Sequence, residues 1–203
     1  MGRAHNIDIH AQLKVRTKQA HTDVDTSPLL QCLITRELKL SDYIAALLKL
    51  ESWYGVYDEY LSAMFSGMSV LTHINSKSEL IKTDLVNLGV IPMAPPADDL
   101  AKMLRLNFHC SLGALYVIEG SMMGGLVLAP RIEKHFMRSD ITHFYNCYGQ
   151  NKVSFFKQTM LFIQDQVNTQ DDADKVIEGA LLSFQHLQQW IQPESAYAID
   201  ATA

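Results

Sequence analysis

The sequence predicts an all-α protein, and three observations carry that prediction. Apolar residues recur at helical spacing along nearly the whole chain, no stretch of period-two alternation is bounded by hairpin turns, and legible start and stop signals cut the chain into helix-sized pieces. Six or more helices follow, drawn at about 8–25, 28–38, 42–66, 77–88, 98–128 with a break, 130–138, 150–167 and 171–191.

In the first segment Leu13, Thr17, Ala20, His21 and Val24 share one stripe, which turns His21 toward the interior. Ser41 is placed to cap the 42–66 helix, and Ser76 to cap the next one in a capping box with Glu79. Gly89 can close that helix in the left-handed conformation, and Val-Ile-Pro-Met-Ala-Pro-Pro (90–96) cannot continue it, because proline lacks the donor and restrains its predecessor. Thr169 precedes an acidic first turn that suits a helix N-terminus. With no repeat and no low-complexity tract, residues 1–203 read as one domain whose tail after about 193 is frayed.

Composition narrows the function. Of the 203 residues 48% are hydrophobic and 19% charged, and the net charge of -5 supplies no basic field for nucleic acid or an anionic membrane. No opening stretch has the order of a signal peptide, and no apolar run reaches the roughly 18 residues of a membrane span, so a cytoplasmic location is expected. Cys32, Cys110 and Cys147 are odd in number and lack CxxC spacing, which argues for reduced thiols rather than a disulfide framework or a zinc site.

Two segments carry chemistry. A lone inward histidine is usually a satisfied core residue, but His21 has Lys18 three residues upstream and Lys14 seven upstream, roughly 10 Å along the axis. A metal-ligating imidazole with cations at its margin suits a flat acidic cofactor such as haem, whose iron accepts neutral imidazole. The blander reading makes both lysines the solvated flank of a surface helix. The second segment is EGSMMGG at 119–125, where Gly120, Gly124 and Gly125 interrupt an otherwise apolar helix at roughly 1 kcal/mol each relative to alanine. Glycine there permits a bend or the close approach of something flat, although GxxxG spacing alone serves helix packing equally well. Taken with His21, it describes a sandwich with a ligand on one wall and bare backbone on the other. A wall without histidine or arginine also lacks the acid–base groups that promptly break an O–O bond.

These residues resemble a known family. Leu13-Lys14-Val15-Arg16-Thr17-Lys18-Gln19-Ala20-His21 is similar to the proximal helix of the biliverdin-forming haem oxygenases, and Leu115-Tyr116-Val117-Ile118-Glu119-Gly120-Ser121-Met122-Met123-Gly124-Gly125 to their bacterial distal helix. Phe144-Tyr145-Asn146-Cys147-Tyr148-Gly149 is a weaker third match. The resemblance implies a single-domain helical bundle with haem between a proximal and a kinked distal helix. It implies His21 as iron ligand, Lys14, Thr17 and Lys18 around the cofactor, Tyr116 bonded to a propionate, and Lys157 as the late cation that fixes the propionates. Gly120, Ser121, Gly124 and Gly125 become the catalytic distal wall, with Ser121 where animal members carry an aspartate.

The implied reaction converts haem, O2 and electrons to biliverdin, CO and ferrous iron. The electrons would come from a donor such as ferredoxin, flavodoxin or a reductase, and the product could pass to a bilin-accepting protein. A haem-binding carrier or sensor that does not degrade haem would use the same His21 and lysines. A di-iron carboxylate enzyme is disfavoured, since none of Glu51, Glu59, Glu119 and Glu133 has a histidine three residues on.

Overall fold

A computed structural model describes residues 7–68, 75–92 and 107–192, and all regular structure among them is helical. The helices are α1 (Ile9–Arg16), α2 (Lys18–Asp25), α3 (Pro28–Cys32), α4 (Leu40–Met64), α5 (Lys77–Asn87), α6 (Phe108–Ser121), α7 (Gly125–Phe136), α8 (Lys152–Gln166) and α9 (Gln170–Trp190), with 3-10 turns at Met122–Gly124 and Gly149–Asn151.

The innermost pair is α6 against α9, and glycine makes it possible. A Cβ on Gly113 would lie 2.0 Å from the Val176 carbonyl oxygen, and one on Gly179 would lie 2.0 Å from that of Cys110. Two backbones therefore touch at a reciprocal notch, each glycine filling the gap left by the other. Around this axis α4 buries Tyr43, Ala46, Leu47, Leu50, Trp53, Tyr54, Tyr57 and Leu61, the i, i+3, i+4, i+7 stripe of a core-facing helix. Helix α5 packs on α4, and its Asp84 is fully buried because its carboxylate accepts the His143 and Phe144 backbone N–H groups at 2.8 and 3.0 Å. Burial raises the Asp84 pKa, and those backbone bonds partly offset the rise. The Tyr43 hydroxyl donates to the Ile141 carbonyl at 2.6 Å, so the 141–148 segment is tied down from two helices.

Most boundaries fall where the sequence places them, and the exceptions have local causes. The 8–25 helix bends at Thr17, where the Thr17 hydroxyl bonds the Leu13 carbonyl at 2.8 Å, a back-bond that deflects helices. The 28–38 segment is helical only to Cys32. Ser41 lies inside α4, whose N-cap is Lys39 in extended conformation. The break expected within 98–128 falls at Met122–Gly124, and the boundary drawn between 128 and 130 is absent, since Pro130 is inside α7. The 98–106 part of the fifth segment and the tail after 193 lie outside the described residues. Ser76 caps by accepting the Glu79 N–H but without the reciprocal bond of the expected capping box, the Glu79 carboxylate pairing with Lys82 instead; Thr169 caps in a full capping box with Asp172, and Gly89 is left-handed at φ 76°. The three cysteines are free, Cys110 and Cys147 buried.

One expectation is corrected by the helices themselves. Phe108–Phe136 is long and apolar enough by length and composition to cross a membrane, but 56% of its apolar window is buried against the other helices and the turn at Met122–Gly124 breaks it. It is the core helix of this fold.

Substituting Gly179→Ala should lower stability by about 3 kcal/mol, the upper end of overpacking costs, because the obstacle is backbone that cannot rotate away. Urea unfolding measures it, and an unchanged midpoint would mean the two helices are not in contact at this point.

Candidate functional site

The bend at Thr17 sets the direction of α2, and the break at Met122–Gly124 sets that of α7. Between them lies a cleft of about 370 Å³, lined on one side by His21, Val24, Phe184 and Leu187 and on the other by Val117, Gly120, Ser121, Met123, Gly124 and Leu128. Its size falls within the roughly 300–1,000 Å³ range of ligand pockets, and its lining is mostly apolar.

His21 is not packed into the core. Its side chain is 59% exposed, edge-on to Phe184 at 5.6 Å, and its Nδ1 lies 3.0 Å from the Asp25 Oδ2. A carboxylate only accepts, so Nδ1 is the donor in this contact and Nε2 is the ring nitrogen left for another partner. Asp25, one turn on from His21 and on the cleft wall, is a residue the sequence reading missed. The i, i+4 spacing on α2 was the available signal.

The three glycines do different things. A Cβ on Gly124 would meet nothing within 4 Å, so this position opens onto the cleft. One on Gly120 would reach only the Phe156 ring, at 3.4 Å. Gly125 points the other way: a Cβ there would sit 2.0 Å from the Tyr145 carbonyl oxygen, so its role is to let the 141–148 segment pack against α7. The expected three-glycine wall is thus two glycines and a packing notch. Ser121 borders the cleft, with its hydroxyl 2.7 Å from the Tyr54 Oη and donating to the Ile118 carbonyl at 2.6 Å.

Other expected contacts differ as well. Thr17 is buried with its hydroxyl donating to the Leu13 carbonyl at 2.8 Å, and burial raises the pKa of the nearby Tyr116, a rise that Thr17 partly offsets. Lys14 and Lys18 are exposed and do not line the cleft. Lys157 borders a separate cavity of about 310 Å³ with His10, Met160 and Gln164, divided from the main one by Phe156. The turn to solvent of each lysine follows from the cost of burying an ammonium without a partner.

Behind the glycine wall stands a buried ion pair. Lys77 and Glu119 are 0% and 2% exposed and 2.6 Å apart, and the Tyr148 hydroxyl donates to the second Glu119 oxygen at 2.9 Å while accepting from Lys77 Nζ at 2.7 Å. Glu119 is therefore tied to α5 and to the 141–148 segment and anchors the end of α6. Tyr148 keeps this position with φ at 67°, uncommon for a bulky residue, and burial together with the Glu119 charge raises its pKa.

The fold is all-helical among the described residues, with a mostly apolar cleft bordered by the His21 imidazole on one helix and by Gly120 and Gly124 near the break of another. The chain belongs to the haem oxygenase family, whose model, described as Heme oxygenase, matches residues 7–193. Among solved structures it is similar to heme oxygenase-1 from the cyanobacterium Synechocystis in complex with heme, with a TM-score of 0.65 and 17% identity over 91% of this chain and 90% of that one. No curated protein matches it in sequence.

Replacing Glu119 with leucine should cost about 3–5 kcal/mol, because it strands the Lys77 ammonium in the interior, and adding Lys77→Met should restore much of that loss. Unfolding midpoints of the two single variants and the double variant measure the coupling.

Proposed function

We propose that the protein is a haem oxygenase, cleaving haem with O2 and reducing equivalents to biliverdin, CO and ferrous iron. The observation that carries this is the company on one cleft: the His21 imidazole, in contact with Asp25, and the open position at Gly124 both line it. The residues fit the substrate. The lining is apolar as a porphyrin face requires, one nitrogen donor is available, and the glycine side admits a flat macrocycle where any side chain would intrude. Family membership and the haem complex of the cyanobacterial neighbour support the reading.

Haem supplies the iron that activates O2 and is itself the molecule consumed. What this chain contributes is orientation and restraint. His21 Nε2 would hold the iron, and Asp25, in contact with Nδ1, would orient the ring for it. Phe184 sets the ring edge-on. Gly120 and Gly124 leave main chain without side chains on the cleft wall, which would let a flat substrate approach it closely and would restrict the space left for O2. Ser121 and Tyr54 provide hydroxyls there, and burial raises the Tyr54 pKa so that it stays protonated and cannot act as a strong base. The flexible ammonium groups of Lys14, Lys18 and Lys157 meet propionates from the rim rather than from within the cleft. Electrons come from a cytoplasmic donor such as ferredoxin, flavodoxin or a reductase, and biliverdin leaves free or to a bilin-accepting protein.

Hemin titration followed by reductant-driven turnover in air tests the proposal, with the bilin identified by chromatography. A Soret band that forms but survives reductant would make the protein a haem carrier or sensor. His21→Ala should weaken hemin binding at least about tenfold, 1.4 kcal/mol, and abolish the histidine-ligated spectrum.

Gly124→Leu separates fold from site. The position is helical with open space around it, so the variant should melt at or above the parent temperature. It should nevertheless bind hemin about tenfold or more weakly. Parent-level hemin affinity would remove Gly124 from the wall.

A further inference from the structure

Four rings run in unbroken succession from the cleft toward the surface, and the function above gives them no part. Trp53 lines the cleft and is fully buried. Its indole meets the Tyr57 ring at 4.4 Å and the His186 imidazole at 6.5 Å, and His186 in turn meets Trp190 edge-on at 5.2 Å. Trp53 and Tyr57 are one turn apart on α4, as are His186 and Trp190 on α9, so two i, i+4 pairs from touching helices interlock. Trp190, the last residue of α9, is only half-buried.

Rings at such spacings are ordinary core packing, and spacing alone assigns nothing. The placement of protons sets this group apart. Tyr57 is fully buried, yet its hydroxyl lies 3.3 Å from His186 Nδ1, a nitrogen that can take its proton when the imidazole is neutral. The Trp53 Nε1–H, by contrast, is buried with no hydrogen-bond partner among the described residues. The other tyrosine stack of the core shows the difference: Tyr43, between Phe136 and Tyr145, donates to the Ile141 carbonyl, which is no base for a phenolic proton.

These features give the path a direction. Indole and phenol surrender an electron far less readily than a ferredoxin or flavodoxin does, so the rings cannot bring reducing equivalents in, but they can carry oxidising equivalents out. An oxidised Trp53 is a buried cation with no base beside its N–H, a costly species in an apolar interior. Tyr57 can lose electron and proton together, which leaves a neutral ring in the core and puts the charge on the half-buried His186.

We infer that Trp53, Tyr57, His186 and Trp190 form a protective relay that drains oxidising equivalents from the cleft to the surface when hydrogen peroxide meets the bound haem. This rests on the haem reading above. Peroxide, reduced to water, is the oxidant, and each passage through the relay returns one of the two electrons it takes. One electron leaves Tyr57 for the cleft by way of Trp53, while the Tyr57 proton moves to His186 Nδ1. Trp190 then gives one electron back to Tyr57 as His186 returns the proton, and an external reductant such as ascorbate restores Trp190.

The test uses the hemin-loaded full chain, mixed with hydrogen peroxide in the absence of reductant and frozen within seconds for electron paramagnetic resonance. Ring-deuterated tryptophan or tyrosine tells the radicals apart, and peptide mass spectrometry locates added oxygen. The parent should show a tryptophan radical and oxidation at Trp190, and Trp53→Phe should lose both while its Soret band forms. Trp190→Phe, a change at a half-buried position, should leave the radical on tyrosine instead, which keeps the test decisive if Trp53→Phe fails to bind hemin. Trp190 oxidised equally in the parent and Trp53→Phe, a radical in Trp190→Phe that does not pass to tyrosine, or a hemin-loaded parent without any protein radical would each overturn the relay and leave the haem reading standing. A parent protein that binds no hemin would remove both.

Discussion

The contact between α6 and α9 governs the rest of the molecule. Two helices whose backbones meet at Gly113 and Gly179 are closer than side chains allow, and that proximity fixes where the C-terminal end of α6 emerges beneath the cleft. Phe184 and Leu187 on α9 and Val117 and Gly120 on α6 then face each other across the same space because their axes are locked one turn below. Each glycine in a helix interior sacrifices roughly 1 kcal/mol of intrinsic preference, a cost the packing at the notch offsets.

From that fixed axis the distal wall is shaped by two opposing requirements. The chain has to turn at Met122–Gly124 to open the cleft, and it has to remain rigid there so that the opening keeps its width. Rigidity comes from behind: Glu119 is held by Lys77 and Tyr148, and Gly125 is seated on the Tyr145 backbone. The break is therefore clamped on both sides, which distinguishes it from a flexible hinge. The proximal side is built more loosely, with His21 and Asp25 both more than half exposed.

The sequence made the helical class, most caps and the two site segments legible, because these depend on local periodicity and on residue types with narrow uses, such as Thr169 before acids or Gly89 before prolines. His21, Gly120, Ser121 and Gly124 do come together around one cleft. What could not be read depends on the third dimension. Nothing local distinguishes Gly125, which serves packing, from Gly124, which opens onto the cleft, since a step of one residue rotates a helix by about 100°. Lys77 reads as a solvated first-turn lysine, yet it is fully buried because Glu119 arrives from a helix 42 positions on.

The Lys77–Glu119 pair also bears on the chain before it folds. Phe108–Phe136 has the length and oiliness of a bilayer span, and Glu119 lies near its middle. A carboxylate at that depth raises the free energy of insertion by roughly 2.5–3.5 kcal/mol, and the glycines on either side weaken the helix that would have to insert. In the folded protein Lys77 meets that same acid, so the charge that would disfavour burial in lipid is the one that ties the end of α6 to the bundle.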